Sequence, residues 1–266
     1  MDRTLADTRG ILLDVDGTLM QDGRLLPGAA RAVAAMRSAG LGLRFVTNTS
    51  RRPRRAVVDS LREAGLAADP GEVLTAPVAA ADWLGSRGLQ RIGLLVPSTA
   101  HEDFADLEIV PQRDGASPAP EAVVVGDLGS DWTYAVLDAA FRWVLEGAEL
   151  VAIQRNRYWR TGGALHLDAG PFVAALEYAS GREAIVVGKP GPAFFEAAAR
   201  SLDLPLPRLA MVGDDLEVDV LGARSAGASG ILVRTGKFRE EDLDRPGPAP
   251  DHVLGSIADL PGLLGL

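Results

Sequence analysis

Cysteine is absent from the 266 residues, and histidine occurs only three times, at His101, His166 and His252. The first absence removes disulfides, thiolate nucleophiles and cysteine-built zinc sites together. The second, with the three histidines far apart, argues against a histidine-built metal centre. Long apolar runs are missing as well. Nothing approaches the ~20 apolar residues of a membrane span, and the stretch Met1–Asp7 carries no apolar signal-peptide core. Nor is there an excess of positive charge: 27 basic and 36 acidic side chains leave a net charge of −9. That field would not attract nucleic acid or an anionic membrane. The expectation is a cytoplasmic protein, with neither nucleic acid nor membrane as partner.

What remains is ordinary globular material, 47% hydrophobic and 24% charged, long enough for one large domain or two modest ones. The chain is organised around Ile11-Leu12-Leu13-Asp14-Val15-Asp16-Gly17-Thr18-Leu19. A short apolar run reads as a buried strand, and its abrupt end in two carboxylates is the anomaly. Side chains alternate along a strand, so Asp14 and Asp16 are expected on the same side.

Downstream, Asp22-Gly23 signals a tight reversal. A helical pattern through Ala29, Val33 and Met36 stops at Gly40, and Leu43–Val46 is the second strand. A helix follows from about Pro53 to Gly65, the start of a parallel α/β sheet. From about Leu74 a second set of elements begins. It comprises a helix from Ala76 to Leu84, strands at Ile92–Val96 and Ala122–Val125, a helix from Tyr134 to Leu145 and a strand at Leu150–Ile153. The loop Asp114–Pro120, the polar stretch Gln154–Gly163 and a helix from Pro171 to about Ala179 complete it. The buried-strand style then returns at Ala184–Val187, Leu209–Val212 and Gly230–Val233, with helices at Ala193–Leu202 and about Asp219–Ala226 between them. A Pro/Gly-rich loop, Arg245–Pro250, precedes a short terminal strand and helix.

Four apolar runs therefore end in polar residues: Asp14/Asp16, Thr47/Asn48, Lys189 and Asp214/Asp215. In one parallel sheet all four would meet at the carboxyl edge, where open α/β folds bind ligands. Carboxylates, a hydroxyl and an ammonium gathered there are the parts of a phosphoryl-transfer site. Each part also has an ordinary explanation. Thr47 or Asn48 would cap a helix, Lys189-Pro190 would form a surface turn, and Asp214/Asp215 would suit a helix start.

Asp14-Val15-Asp16-Gly17-Thr18, Thr47-Asn48, Lys189 and Gly213-Asp214-Asp215 with Asp219 resemble the four motifs of the haloacid dehalogenase superfamily. The block between the threonine and lysine motifs resembles the type IIA (C2) cap of the NagD-like phosphatases. Arg44–Thr49, Gly170–Val173, Val186–Pro190 and Gly230–Lys237 are similar to one small branch of that group. That branch holds the haloacid dehalogenase-like hydrolase domain-containing proteins and the phospholysine phosphohistidine inorganic pyrophosphate phosphatases. The resemblance implies an α/β fold: a Rossmann-like core of residues 1–74 and 184–266, with a parallel sheet and helices on both faces. A smaller inserted α/β cap would occupy residues 75–183.

It also implies a mechanism. Asp14 is the nucleophile that forms an aspartyl phosphate. Mg2+ sits on Asp14, the backbone carbonyl of Asp16, and Asp214. Lys189 neutralises phosphoryl oxygens and nucleophile together. Thr47, the Asn48 amide and amides near Val15 and Asp16 hold the remaining oxygens. Asp16 protonates the leaving oxygen and then takes a proton from water. Asp215 and Asp219 support the metal from behind its ligands. An acid at position 16 favours a phosphomonoester hydrolase over dehalogenase or ion-pump chemistry. Phosphoamide or pyrophosphate hydrolysis is the alternative that the closer branch suggests. A phosphate-accepting switch or a binding protein without turnover is the alternative of another class.

The expected partner is a small phosphorylated metabolite. Arg155-Asn156-Arg157-Tyr158-Trp159-Arg160, read as a loop after a cap strand, combines anion binders with flat aromatic surfaces that would suit a phosphorylated ring. A solvated loop explains the segment as well, and the basic run Arg51–Arg55 is open to the same two readings. Thr49 stands where many NagD-like relatives have asparagine. A homodimer through the cap, using Trp83, Trp132 or Trp143, is a further expectation, although core packing would account for these tryptophans equally.

Overall fold

Ile11, Leu12 and Leu13 are wholly buried. A strand sealed on both faces belongs in the middle of a sheet. In the computed structural model, which describes residues 5–111, 118–161, 164–244 and 246–266, strand β1 (Gly10–Asp14) has a parallel neighbour on either side. A hairpin of β2 (Met20–Gln21) and β3 (Arg24–Leu25) follows, turning through Asp22 at φ 50° and Gly23 at φ 75°. Left-handed backbone at both turn residues is what an Asp-Gly hairpin supplies. Then come α1 (Ala29–Ser38), β4 (Gly42–Thr47), α2 (Arg54–Glu63) and β5 (Val73–Thr75).

The middle of the chain holds α3 (Ala76–Ser86), β6 (Arg91–Leu95), β7 (Glu108–Ile109), β8 (Ala122–Val125), α4 (Tyr134–Leu145) and β9 (Glu149–Ala152). It continues with β10 (Tyr158–Thr161), β11 (Ala164–Leu167), α5 (Ala169–Ser180) and β12 (Ile185–Val186). The last part contains α6 (Pro192–Leu202), β13 (Leu209–Gly213), a π-helical turn (Leu216–Leu221) and α7 (Gly222–Ala226). It ends with β14 (Ser229–Val233), β15 (His252–Leu254) and α8 (Leu260–Leu263). Asp114–Ser117 of one expected loop, Gly162 and Gly163 of another, Arg245 of a third, and Met1–Thr4 lie outside the described residues.

The chain divides into two compact units. The first comprises residues 1–47, 55–74 and 189–266. Apart from the β2–β3 hairpin, its strands belong to a sheet of order β15-β14-β13-β1-β4-β5, with β1 parallel to β13 and β4. Ile11 and Leu13 pack with Val33 and Met36 of α1 and with Val57, Val58 and Leu61 of α2. Alternation sends Leu12 to the opposite face, the side left for α6 with its buried Phe194 and Phe195. Each such side chain contributes roughly 1.5–3 kcal/mol by leaving water. The fold class is thus the expected parallel-sheet α/β core with helices on both faces.

The second unit comprises residues 48–54 and 75–188 and holds a parallel sheet of order β12-β9-β8-β6-β7. Val123, Val125, Leu150 and Ala152 pack there with Val144 of α4 and with Val173 and Leu176 of α5. Here the expected boundaries shift. Residues 184–188, assigned from the sequence to the core, belong to the second unit because β12 pairs with β9 at Ile185↔Val151 and Val186↔Ala152. The run leading to Lys189 is therefore not a strand of the sheet that carries Asp14. Residues 48–54 join the second unit too, where the Asp127 amide donates to Ser50 Oγ at 2.9 Å. The three tryptophans serve packing inside this unit. Trp83 is buried, Trp132 stacks on Phe172 at 4.2 Å, and Trp143 leaves no room for a Cβ at Gly93. Among the described residues, no helix is long and apolar enough to cross a membrane.

Candidate active site

Strand β1 delivers Asp14, buried, at its carboxyl end, in register with Val46 of β4. Beside it, Lys189 is buried and donates to Asp14 Oδ1 at 2.5 Å and to Asp219 Oδ1 at 2.7 Å. Strand β13 ends at Gly213, and Asp214 follows directly. Asp14, Asp214 and Asp219 each offer a carboxylate oxygen, and the three oxygens lie within 4.8 Å of one another. Asp219, expected to stand behind the metal ligands, reaches the same cluster while also accepting from Lys189.

The π-helical turn explains how Asp219 gets there. Wide turns of this kind recur at functional sites. This one folds the Asp219 carboxylate back over Gly213, where a Cβ would come within 2.3 Å of Oδ2, and toward the Asp215 amide at 3.2 Å. The regular helix start expected at Asp219 is replaced by this turn. Asp215 caps it, accepting from the Val218 amide at 3.1 Å, and its other oxygen lies 3.5 Å from Lys237 Nζ.

Three buried carboxylates face one buried ammonium, so negative charge is in excess where water cannot screen it. Burial pushes the Asp14 carboxyl well above the ordinary carboxylate range; Lys189 opposes the shift, and Asp219 and Asp214 add to it. Burial, with Asp219 alongside, lifts Asp214 to about 6. For Lys189, burial alone would lower the pKa, but Asp14 and Asp219 outweigh it and hold the ammonium above the ordinary lysine range. A set of hard oxygen donors short of positive charge fits a divalent cation.

Asp16 stands apart from the three, exposed, with the Thr47 hydroxyl 3.5 Å from its Oδ2. Thr47 is buried at the end of β4. The Val15 amide, expected to hold a phosphoryl oxygen, instead donates to Val46 O at 3.1 Å and is committed to the sheet. Asn48 opens the segment that belongs to the second unit, where its Oδ1 lies 3.0 Å from the place a Cβ on Gly188 would take. One element near Asp214 went unassigned from the sequence. The Lys237 backbone amide donates to Asp214 Oδ2 at 2.6 Å.

In the second unit, Tyr158 and Trp159 lie on β10 rather than in a loop, paired with Leu167 and His166 of β11. The Trp159 ring lies 5.0 Å from the Arg51 guanidinium and 5.2 Å from the His166 ring. Arg51 also approaches buried Asp127 at 3.6 Å. Arg155 pairs with Glu177 at 2.6 Å. Preceding them, buried Gln154 donates to Asp168, which also accepts from the Ala169 amide at 2.8 Å and so caps α5. Burial raises the Asp168 carboxyl above its ordinary value. Gln154 in turn accepts from the Asn156 amide, so residues 154–156 are held by a buried polar network. Arg155, Arg157, Tyr158, His166, Gly170 and Pro171 line a groove of about 590 Å³.

The haloacid dehalogenase-like hydrolase model matches residues 11–109, and a HAD-hydrolase-like model matches residues 186–260. The rat haloacid dehalogenase-like hydrolase domain-containing protein 2 is 37% identical over 92% of this chain and 96% of its own. The rat phospholysine phosphohistidine inorganic pyrophosphate phosphatase is 35% identical over 98% of this chain and 95% of its own. Among solved structures, the 4-nitrophenylphosphatase of Thermotoga maritima superposes with a TM-score of 0.89 at 29% identity, covering 98% of each chain. Taken with a buried aspartate held against a lysine at a sheet's carboxyl edge, these likenesses show that the chain belongs to the haloacid dehalogenase-like hydrolases and is a phosphatase of the NagD-like group.

Proposed function

We propose that this chain is a Mg2+-dependent phosphatase of small phosphomonoesters that works through an aspartyl phosphate on Asp14. The observation that carries the reading is the buried contact of Lys189 with Asp14 and Asp219, with Asp214 closing the acidic cluster. A carboxylate approaching a phosphate dianion is repelled unless positive charge is already in place. Lys189 supplies one such charge from the protein itself. Asp14 and Asp214, with the Asp16 carbonyl, are the groups that would hold Mg2+, and Asp219 steadies the site through Lys189. When bound, the cation would supply the remaining positive charge and favour ionised Asp14.

An Asp14 oxygen then attacks phosphorus, the bond from phosphorus to the ester oxygen breaks, and Asp16 gives that oxygen its proton. In the second half, Asp16 takes a proton from water as the water oxygen attacks phosphorus. The acyl-phosphate bond breaks, and Asp14 and inorganic phosphate are regenerated. Exposure suits Asp16 to this exchange, and the Thr47 hydroxyl and the Asn48 amide are the donors offered to the phosphoryl oxygens.

We further propose that the second unit, residues 48–54 and 75–188, acts as the cap that selects the substrate. Arg155, Asn156, Tyr158 and Trp159 would be the recognition residues, held by the Gln154–Asp168 network. The expected partner stays a small phosphorylated metabolite handled in the cytoplasm. A second copy of the chain would meet the cap at the exposed Leu165 and Leu167, not at the tryptophans. The relative named for phospholysine, phosphohistidine and pyrophosphate supports a second reading, hydrolysis of P–N bonds or of pyrophosphate.

Purified protein with Mg2+ should release 4-nitrophenolate from 4-nitrophenyl phosphate, and EDTA or Asp14→Asn should stop it. Release that survives Asp14→Asn removes Asp14 as nucleophile. Phosphohistidine and pyrophosphate run beside a phosphomonoester panel decide between the two readings.

A further inference from the structure

The Asp214 carboxylate is clasped by two glycines that come from opposite ends of the chain. A Cβ on Gly17 would fall 2.0 Å from Asp214 Oδ2, and one on Gly236 would fall 1.9 Å from the same atom. Both are far inside the closest approach that carbon and oxygen tolerate without displacement. Both glycines also have left-handed backbone, at φ 93° and 57°, a conformation costly for residues with a Cβ. The clasp is locked at two further points. Thr235 Oγ1 donates to Gly17 O at 2.5 Å, and the Lys237 amide donates to Asp214 Oδ2 at 2.6 Å. Oδ2 of the carboxylate is thus held in place: no side chain fits on either flank, and the oxygen is pinned by a backbone N–H.

We infer that the loop Thr235-Gly236-Lys237 is a positioning element for cation binding, acting through Asp214. The inference rests on the reading of Asp214 as a metal ligand. It adds that metal affinity is set in part by three residues that offer the cation no ligand themselves. Groups that orient a ligand typically govern metal affinity by about 10- to 100-fold. Gly236→Ala would push Asp214 out of the clasp. Thr235→Val would unlatch the loop from Gly17, whereas Thr235→Ser keeps the hydroxyl and the latch.

The test is calorimetric titration of the metal-free protein with MgCl2, alongside the Mg2+-dependent rise in unfolding temperature, for parent, Gly236→Ala, Thr235→Val, Thr235→Ser and Asp214→Asn. The expected result is a loss of Mg2+ affinity of about 10- to 100-fold in Gly236→Ala, a smaller loss in Thr235→Val, and parent affinity in Thr235→Ser. Phosphate release by the weakened variants should return at high Mg2+ with the KM for substrate unchanged, which a merely unfolded loop would not permit. Parent-like affinity in Gly236→Ala and Thr235→Val overturns the inference. If Gly236→Ala does not fold, the contrast between Thr235→Val and Thr235→Ser decides alone. If the parent takes up no Mg2+, or Asp214→Asn binds it as well as the parent does, the underlying reading fails instead.

Discussion

Lys189 Nζ lies 2.5 Å from Asp14 Oδ1, an ion pair between side chains 175 positions apart in the chain, both buried. The same ammonium serves Asp219, so one cation compensates two acids while Asp214 adds a third. On the proposed mechanism, catalysis and stability therefore hang on the same atom.

Lys189→Met tests both. Phosphate release should fall by about 100- to 1,000-fold or more, the usual cost of removing a preorganised charge from a reacting oxyanion. In metal-free protein the variant should also lose about 3–5 kcal/mol of stability in urea, because the acids are left buried without their partner. The stability loss should shrink toward pH 5, where protons take the place of the ammonium. A variant that keeps full activity would show that Lys189 serves structure alone.

The acidic cluster sets a pH dependence of defined sign. Asp214 has an ordinary value near 3.8 and is lifted to about 6 in the fold, and Asp14 is raised in the same direction. Between these values the native state binds more protons than the unfolded chain, so stability falls as pH rises through the window. The effect is on the order of 3 kcal/mol for Asp214. Mg2+ requires ionised ligands, so its stabilisation should appear over the same window as pH rises. Thermal unfolding between pH 4 and 8, with and without Mg2+, would read both trends. Asp214→Asn should flatten the metal-free slope, and an unchanged slope would remove Asp214 as its source.

In the second unit, Asp168→Ala removes a helix cap and the partner of Gln154 together. Loss of the cap alone costs about 0.5–2 kcal/mol. Hydrogen exchange should accelerate at Asn156 and Ala169, whose amides the network holds, and remain unchanged in β1. Unchanged protection at Asn156 would mean that the loop is ordered without Asp168.

How far the sequence reveals this molecule depends on the range of the forces involved. β1, β4, β13 and β14 were legible because apolar runs bounded by polar residues mark buried strands locally. The polar ends of three of those strands are Asp14, Thr47 and Asp214, and the fold brings Asp14 and Asp214 into one buried cluster. Sheet membership is a different matter. Ile185–Val186 reads like any short apolar strand, and only its pairing with β9 assigns it to the second sheet. β10 hid inside the polar stretch Gln154–Gly163 and β11 just beyond it, since their pairing is made by backbone groups and β11 buries none of its side chains. The π-helical turn at Asp219 and the Lys237 amide escaped for the same reason. Neither a widened helical turn nor a backbone donor leaves a mark on residue type, and the two clasping glycines look in sequence like ordinary turn residues.

Asp16 should separate substrates by their leaving groups. Its carboxylate is exposed, and its nearest described partner is the Thr47 hydroxyl at 3.5 Å, so no strong ion pair holds it away from an incoming ester. A general acid matters most when the departing oxygen is strongly basic, as in an alkyl phosphate. It matters least when the departing anion is already stable, as 4-nitrophenolate is. Asp16→Asn should therefore lower kcat on an alkyl phosphate by about 100- to 10,000-fold, and should slow the first burst of 4-nitrophenolate far less. On the proposed mechanism the same residue activates the water, so the phosphorylated enzyme should then accumulate, visible by mass spectrometry as an added phosphoryl group on Asp14. Equal losses on both substrates, with no trapped phosphoenzyme, would mean that Asp16 orders the pocket without moving a proton.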